Sequence, residues 1–115
     1  MNVYGSRKFS VLENRGFSNF KHKDLAKLLE KREYAAICNM QDRFVFVSGG
    51  MRKSSVERFD IAKNTWNLVP SMHHARSGHA SCALEDTLYA ICGEDDSESI
   101  TLNSIEVLDS KQQVW

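Results

Sequence analysis

Histidines, cysteines and a pair of glycines are the residues of this sequence whose types and spacing suggest chemistry. They are His73, His74 and His79, Cys38, Cys82 and Cys92, and the pair Gly49-Gly50. Adjacent histidines on an extended segment point to opposite faces, and no other ligand completes a tetrahedral set by spacing, so no metal site is predicted. The cysteines lie in apolar stretches and are expected to act as small hydrophobic side chains. The glycines lack the flanking pattern of a phosphate-binding loop. We therefore predict no catalytic residue, no metal and no cofactor.

The charge and the apolar content argue against several classes of protein. Of 115 residues 42% are hydrophobic, and 15 Lys and Arg balance 15 Asp and Glu. A zero net charge gives no support to nucleic-acid binding, which rewards clustered positive charge. No apolar run approaches the roughly 18 residues of a membrane-spanning helix. Three cysteines without a Cys-x-x-Cys pair fit a reducing compartment. We expect a cytoplasmic protein that is one small domain or a piece of a larger one.

The sequence contains an internal repeat, which has to be recognised before secondary structure is interpreted. An offset of 44 residues aligns the first part of two units, and an offset of 49 aligns the second part. The aligned pairs include Arg32 and Arg76, Cys38 and Cys82, Gly49 and Gly93, then Ser55 and Ser104, Glu57 and Glu106, and Trp66 and Trp115. The change of five residues predicts one insertion in the acidic segment that follows Gly93.

Each unit is predicted to form strands, because its apolar runs are short, rich in β-branched and aromatic residues, and bounded by turn formers. The expected strands are 34–40, 43–48, 54–60 and 64–69, then 78–84, 87–92, 102–109 and 112–115. Tight turns at 41–42 and 85–86 join the first two strands of each unit. The second turn places Cys82 opposite Tyr89 and Cys92 opposite His79, which puts the two cysteines on opposite faces and argues against a disulfide. Neither sheet buries both faces alone, so the units are expected to stack as propeller blades.

These residues resemble the kelch family. Residues 76–82, 87–93 and 104–109 with Trp115 resemble one kelch repeat, and residues 44–50, 54–60 and 64–66 resemble another more closely. Kelch repeats carry a double glycine, then a spaced aromatic residue and a tryptophan, with a period close to ~50 residues. The second repeat departs from this pattern with Gly93-Glu94 in place of the double glycine. The resemblance implies an all-β fold, namely two four-stranded kelch-type blades of a β-propeller that form an incomplete ring.

The resemblance divides the chain into an N-terminal segment at 1–31, one kelch repeat at 32–70 and a second at 71–115. Two alternatives remain for the N-terminal segment. Good helix formers over 23–32, with an apolar spacing of three and four, predict a short amphipathic helix. The repeat predicts instead that Leu28 takes the place of Met72 in a connection between blades, and that Phe9 to Phe20 are outer strands of a preceding unit. We favour the connection, since tertiary context often overrides helix propensity.

The resemblance implies that the loops are the functional part of the chain. In kelch propellers the loops between the second and third strands, and those between blades, lie on one face and commonly hold the partner. The expected partner-binding residues here are Arg52, Lys53, His73, His74, Glu94, Asp95 and Asp96. Those expected to be structural in the repeat are Gly49, Gly50, Trp66, Gly93 and Trp115. One loop is basic and one acidic, so opposite charges are expected to orient a partner.

The resemblance implies a protein-interaction scaffold that binds protein partners, and the charge balance and the short apolar runs predict that it binds neither nucleic acid nor a membrane. It is expected to be the substrate-recognition part of a ubiquitin-ligase adaptor or a cytoskeleton-binding protein. One alternative is a piece of a kelch-type enzyme, a copper oxidase or an isomerase, although the clustered ligands of such a site are missing from the sequence. A closed propeller needs ~4–8 blades, so two blades leave open faces. We expect a fragment of a longer protein, the alternative being two-blade subunits that self-associate through those faces.

Overall fold

The two repeat units form two antiparallel sheets in the computed structural model, which describes residues 26–115. The first sheet has the strand order β1-β2-β3-β4, with β1 (Ala36–Met40), β2 (Phe44–Ser48), β3 (Val56–Asp60) and β4 (Thr65–Val69). The second has the order β5-β6-β9, with β5 (Ala80–Leu84), β6 (Thr87–Ile91) and β9 (Ile105–Asp109). A short hairpin of β7 (Glu94–Asp95) and β8 (Ile100–Thr101) lies between β6 and β9 along the chain. The predicted all-β architecture is confirmed for these residues.

Alternating side chains give the first sheet two apolar faces. Val45 and Val47 lie on one face and are at most 4% exposed, whereas Phe46 and Val56 lie on the other and are at most 1% exposed. Successive side chains of a strand point to opposite faces, so such a strand needs cover on both sides. The second sheet covers one face, and residues from the segment 26–35 pack on the other.

The core between the two sheets, which we call the seam, consists of buried side chains from both units. They are Met40, Phe46, Val56, Val69, Met72, Leu88, Ala90 and Leu108. Strands β1 and β5 lie next to each other across it. Full burial of one large apolar side chain stabilises a fold by about 1.5–3 kcal/mol. The seam therefore holds the two sheets face to face, as the stacking of blades requires.

The turn of the first hairpin is one residue longer in the first unit than in the second. Met40 pairs with Phe44 in the first unit, so its turn has three residues rather than the predicted two. Leu84 pairs with Thr87 in the second unit, and the predicted turn at 85–86 is confirmed. The apolar alternation of the strands is the same with either turn length, which is why the sequence pattern did not reveal the extra residue.

The predicted pairing of Cys82 with Tyr89 is confirmed. The ladder ends before His79 and Cys92, so those two residues do not form the predicted strand pair. All three cysteines are free. Cys82 and Cys92 are exposed, so the prediction that the cysteines act as small hydrophobic side chains is wrong for these two. Cys82 lies on the face of the second sheet that points away from the seam, and Cys92 lies in the loop after β6.

The bend after the second strand of each unit shows where the repeat alignment needs correction. In the first unit Gly49 N donates to Ser55 O at 2.9 Å, and in the second unit Cys92 N donates to Ser104 O at 3.0 Å. Cys92 has a φ of 59°, close to the φ of 67° at Gly49. The glycine pair therefore corresponds to residues 92–93, and the predicted match with Gly93-Glu94 is one residue out. The offset is 43 here (92 minus 49) and 49 at the serines, so the insertion has six residues rather than five.

The fourth strand predicted at 112–115 is not formed. Residues 110–113 form a turn, and one isolated bridge joins Asp109 to Val114. This turn has a positive φ of 58° at Gln113, where the first unit has 53° at Asn64. After the turn, Val114 forms that one bridge and Trp115 is not in a strand. The second sheet therefore has three strands rather than four.

Residues 26–35 contain no helix, so the helix predicted over 23–32 is wrong for the part that the structure describes. Leu28 is fully buried against the first sheet, and Met72 is buried at the equivalent place in the second unit. This burial agrees with the alternative in which both residues belong to connections. The strands predicted from Phe9 to Phe20 lie outside the described residues. Within 26–115 no helix has the length and apolar character that crossing a bilayer requires.

Candidate binding surface at the loop face

One end of the two sheets carries all the loops that are expected to bind a partner. In an antiparallel unit the loop from the second to the third strand and the connection to the next unit lie at the same end. We call this end the loop face, and it comprises residues 26–35, 49–55, 70–79 and 92–104. Backbone hydrogen bonds fix it, since Met51 N donates to Glu33 O and Glu94 N donates to Ser77 O, each at 2.9 Å.

A buried arginine lies beneath the loop face in the first unit. Arg32 is 0% exposed, and its Nε donates to Glu57 Oε2 at 2.9 Å. Its Nη1 donates to the carbonyl oxygens of Gly49 and Ser55 at 2.7 and 2.8 Å. The Glu57 carboxylate also accepts two successive backbone N–H groups of the segment 26–35, at 2.6 and 3.1 Å. The ion pair thus joins three pieces of chain, namely the connection, the bend after β2 and the start of β3.

The second unit contains the same arrangement. Arg76 is 0% exposed, and its Nε donates to Glu106 Oε2 at 3.0 Å. Its Nη1 donates to the carbonyl oxygens of Cys92 and Ser104 at 2.9 and 2.8 Å, and its Nη2 donates to Ser104 Oγ at 2.8 Å. Glu106 accepts two successive backbone N–H groups of the connection 70–79. Each unit therefore fixes its own loops with one buried cation and one buried anion.

These two ion pairs were missed when the sequence was interpreted, although the four residues align in the repeat. The partners are 25 residues apart in the first unit and 30 in the second, so no local spacing connects them. The available signal was a glutamate directly after the first, apolar residue of the third strand, repeated at the same position in both units. A buried charge is costly unless it is paired, so its repetition predicts a partner. Removing one partner of such a pair costs about 3–5 kcal/mol.

Glu30 extends the ionic network in the first unit. Its carboxylate accepts from Ser55 Oγ at 2.7 Å, from Arg32 Nη2 at 3.0 Å and from Lys53 Nζ at 3.3 Å. The hydroxyl of Ser55, with the charges of Arg32 and Lys53, lowers the pKa of Glu30 below its usual value, although partial burial opposes the shift. Lys53, one of the predicted partner-binding residues, is therefore already engaged with a carboxylate.

Ser48 and His79 form a hydrogen-bonded pair in the seam, with Oγ and Nε2 2.9 Å apart. A serine beside a histidine base is the arrangement of an activated nucleophile. Both residues are buried, at 1% and 8% exposure, and Nδ1 of His79 has no hydrogen-bond partner among the described residues. Burial, and then the charge of Arg76, lowers the pKa of His79 to about 4, against the opposing charge of Glu106. We interpret the pair as a neutral contact between the two sheets.

A cleft of about 440 Å³ opens between the two units at the loop face, and we call it the acidic cleft. Its lining residues are Tyr34, Met51, Ser77, Gly78, Cys92, Gly93, Glu94, Asp96, Thr101 and Leu102. Glu94 is exposed and Asp96 is half-buried. Ser77 Oγ donates to Asp96 Oδ2 at 2.8 Å and so fixes that carboxylate. No lysine or arginine is among the lining residues, so the cleft carries negative charge.

A second cleft of about 350 Å³ lies next to it, and we call it the basic cleft. It is lined by Lys31, Glu33, Met51, Arg52 and Lys53. Three cations and one anion give this lining a net positive charge. Met51 lines both clefts and is 39% exposed. The two clefts therefore place opposite charges on either side of one flexible apolar side chain.

The structure distributes the predicted partner-binding residues unevenly. Glu94 and Asp96 meet in the acidic cleft, and Arg52 and Lys53 meet in the basic one. Tyr34 and Met51 were missed, because the clefts arise where two repeats meet and an uncharged side chain gives no signal of that in the sequence.

The remaining three predicted residues have other surroundings. Asp95 is 6% exposed, and its Oδ1 accepts from Ser97 N at 3.0 Å, so it stabilises the β7-β8 hairpin. His73 and His74 expose their side chains but line neither cleft. Their backbone N–H groups donate to the Glu106 carboxylate at 2.5 and 3.1 Å. The position of these two residues is thus set by the buried ion pair.

The two tryptophans make equivalent hydrogen bonds. Trp66 Nε1 donates to Ala26 O at 2.9 Å, and Trp115 Nε1 donates to Pro70 O at 2.6 Å. Trp66 also packs on Phe59, with 4.9 Å between ring centroids. Each indole therefore anchors the connection that precedes its own sheet, which agrees with a structural role. In the part of the chain that the structure describes, no three His, Cys, Asp or Glu side chains are grouped so as to hold a metal ion.

Comparison with known proteins gives one family for this arrangement. The kelch motif matches residues 44–73 and 75–115. An F-box/kelch-repeat protein of Arabidopsis thaliana is 37% identical over 73 residues, which are 62% of this chain and 18% of that protein. Kelch-like protein 35 of Mus musculus is 34% identical over 86 residues, which are 74% of this chain and 14% of that protein. The chain thus spans less than a fifth of the length of these relatives.

A solved structure shows the same fold. A fungal alcohol oxidase of the AA5 family, in complex with copper, matches 75% of this chain and 18% of its own with a TM-score of 0.62. Its sequence identity is 21%, so the match concerns the fold alone. The two motif matches meet at residue 74, in the connection between the two sheets. On the motif, the repeated sheets and the relatives together, the chain belongs to the kelch-repeat family.

Proposed function

We propose that the chain is a protein-interaction scaffold in which two kelch blades, residues 32–70 and 71–115, present the loop face to a protein partner. The observation that carries this proposal is the buried arginine–glutamate pair beneath the loops of each blade. A buried ion pair adds little net stability compared with apolar packing, but its hydrogen bonds hold the surrounding backbone in one arrangement. Loops held by a rigid scaffold are where proteins carry their binding residues.

The exposed charges of the loop face support the same role. Arg52 and Glu94 are exposed, carry opposite signs and lie in the two neighbouring clefts. Complementary charges across an interface increase the association rate and the specificity more than the affinity. A partner with the opposite charge pattern would therefore bind in one orientation.

We extend the proposal to a substrate-recognition part of a ubiquitin-ligase adaptor, with a cytoskeleton-binding protein as the second possibility. The F-box/kelch names of the plant relatives support the first. Three free cysteines support a cytoplasmic location, where thiols stay reduced. We assign no catalytic activity to the chain, because the hydrogen-bonded Ser48 and His79 are both buried.

The outer face of the second sheet supports the view that the blades continue. Leu84, Ile105 and Val107 lie on it and are 66%, 57% and 41% exposed. The equivalent face of the first sheet carries Met40 and Val56, which the second sheet buries in the seam. We propose that a further kelch blade, from a longer chain or from a second copy, covers this outer face in the same way.

Site-specific photo-crosslinking tests the interaction role. A photoreactive phenylalanine analogue replaces Arg52 or Glu98 on the loop face, and Lys63 in a turn at the opposite end serves as the matched position. All three side chains are exposed. In cells we expect Arg52 and Glu98 to crosslink to the same protein, and Lys63 to give no crosslink to it. The purified partner must then bind the purified chain. Equal crosslinking from both ends would contradict a partner-binding loop face.

A further inference from the structure

We propose that the acidic cleft binds an arginine or lysine side chain from a segment of the protein partner, and that the basic cleft binds an acidic side chain of the same segment. This inference rests on the proposed function and specifies the chemistry of the partner. It requires a negatively charged recess, a positively charged recess and a short path between them.

The carboxylates of the acidic cleft are arranged to accept hydrogen bonds from a cation. Asp96 accepts Ser77 Oγ on Oδ2, at 2.8 Å, which fixes the carboxylate against the connection. A carboxylate has about four acceptor positions, so most of its capacity stays available. Glu94 is exposed, and its backbone N–H and carbonyl are both paired with Ser77 at 2.9 Å. The two carboxylates are thus carried by backbone that is already fixed.

The walls of the acidic cleft suit the stem of a long cationic side chain. Tyr34 is 56% exposed and Met51 is 39% exposed, and both line the cleft together with the buried Leu102. Arginine and lysine bury their methylene stems along apolar surface while the charged group stays near polar partners. A cation near an aromatic face gains about 0.5–1 kcal/mol at an exposed site. Met51 adapts its shape to the bound chain, because an unbranched thioether has three rotatable bonds.

The basic cleft supplies the second charge. Lys53 is engaged with Glu30, at 3.3 Å between Nζ and Oε1, whereas Lys31 and Arg52 are exposed. These two side chains are therefore the cations that remain for a carboxylate of the partner. Met51 lines both clefts, so one extended segment passing over it reaches both charges. A partner segment with a basic and an acidic residue close together fits this surface.

Titration of the labelled full chain with short Gly/Ser peptides, followed by amide resonances, tests the inference. One peptide carries a single arginine, one a single glutamate, one carries both, and one carries neither. The arginine peptide should shift the resonances of Ser77, Glu94 and Thr101, and the glutamate peptide those of Lys31 and Arg52. The peptide with both residues should bind about fivefold more tightly than either single one. Binding of the uncharged peptide with equal affinity would overturn the inference.

A variant with Glu94→Gln and Asp96→Asn separates the two clefts. This variant should bind the arginine peptide about fivefold more weakly and bind the glutamate peptide with unchanged affinity. Glu98→Gln is the matched control, because Glu98 is an exposed acid of the same loop that does not line the acidic cleft. If both variants bind the arginine peptide equally, the cation site is not where we place it. If the protein partner found by crosslinking binds this double variant with normal affinity, the cation site is wrong but the interaction role stands. If no protein crosslinks at the loop face, the interaction role itself is contradicted.

Discussion

Arg76 and Glu106 form a buried ion pair, with 3.0 Å between Nε and Oε2, that repeats the pair of Arg32 and Glu57 at 2.9 Å. In both units the arginine also binds the carbonyl of the first residue in the bend after the second strand. The glutamate accepts two backbone N–H groups of the connection before the same sheet. The conformation of the loop face thus depends on charges in the interior of each blade.

Replacing Glu106 by Gln should lower the free energy of unfolding by about 3–5 kcal/mol, because the guanidinium of Arg76 then stays buried without a counter-charge. Urea denaturation followed by tryptophan fluorescence measures the change. The double variant Arg76→Met with Glu106→Leu should not restore the free energy of unfolding, because it removes the four hydrogen bonds that the pair makes to backbone groups.

An exposed ion pair provides the control for this prediction. Lys111 Nζ lies 3.2 Å from Asp86 Oδ2, with side chains 76% and 40% exposed. Lys111→Met should leave the urea midpoint unchanged within error, since solvent screens such pairs. A Glu106→Gln protein as stable as the Lys111→Met protein would show that the interior pair does not stabilise the blade.

Two glycines with similar backbone angles should respond differently to alanine. Gly49 has a φ of 67°, and a Cβ there would lie 2.3 Å from Arg76 O. Gly78 has a φ of 59°, and a Cβ there would meet nothing within 4 Å. Gly78→Ala carries only the left-handed strain, about 1–2 kcal/mol. Gly49→Ala adds a clash with the backbone across the seam and should lower the free energy of unfolding by about 3 kcal/mol or more. Equal urea midpoints for the two variants would contradict the packing of Gly49 against the second blade.

The sequence pattern predicted the strands well and the contacts between blades poorly, for a physical reason. Strand positions follow from local alternation, so the pairing of Cys82 with Tyr89 was predictable from one turn. The extra residue in the first hairpin leaves that alternation intact, and the alignment therefore shifted by one at Cys92. The acidic cleft depends on how two blades meet, and no spacing within one repeat brings Tyr34 and Glu94 together.

The outer face of the second sheet should make the isolated chain self-associate. Leu84 is 66% exposed on that face, which also carries Ile105 and Val107 on β9, and such apolar surface favours burial against another sheet. Leu84→Asp with Val107→Asp should reduce the apparent mass at high concentration in analytical ultracentrifugation. Leu68→Asp is the matched control, because Leu68 is 58% exposed on a different sheet. If the Leu68 variant reduces association as much as the double variant does, the outer face is not the contact.

The free energy of unfolding should fall in mild acid because of His79. Its folded pKa is about 4 against an ordinary 6.5, since burial in the seam disfavours the charged ring. Between these values the unfolded chain binds the proton more readily than the folded one, so acid favours unfolding. From pH 7 to pH 5 the loss from this group is about 2 kcal/mol. Urea denaturation of His79→Leu at both pH values should show a smaller difference than the parent chain, whereas His73→Leu, at an exposed position, should retain the full difference. An unchanged pH dependence in His79→Leu would mean that His79 is not held neutral in the seam.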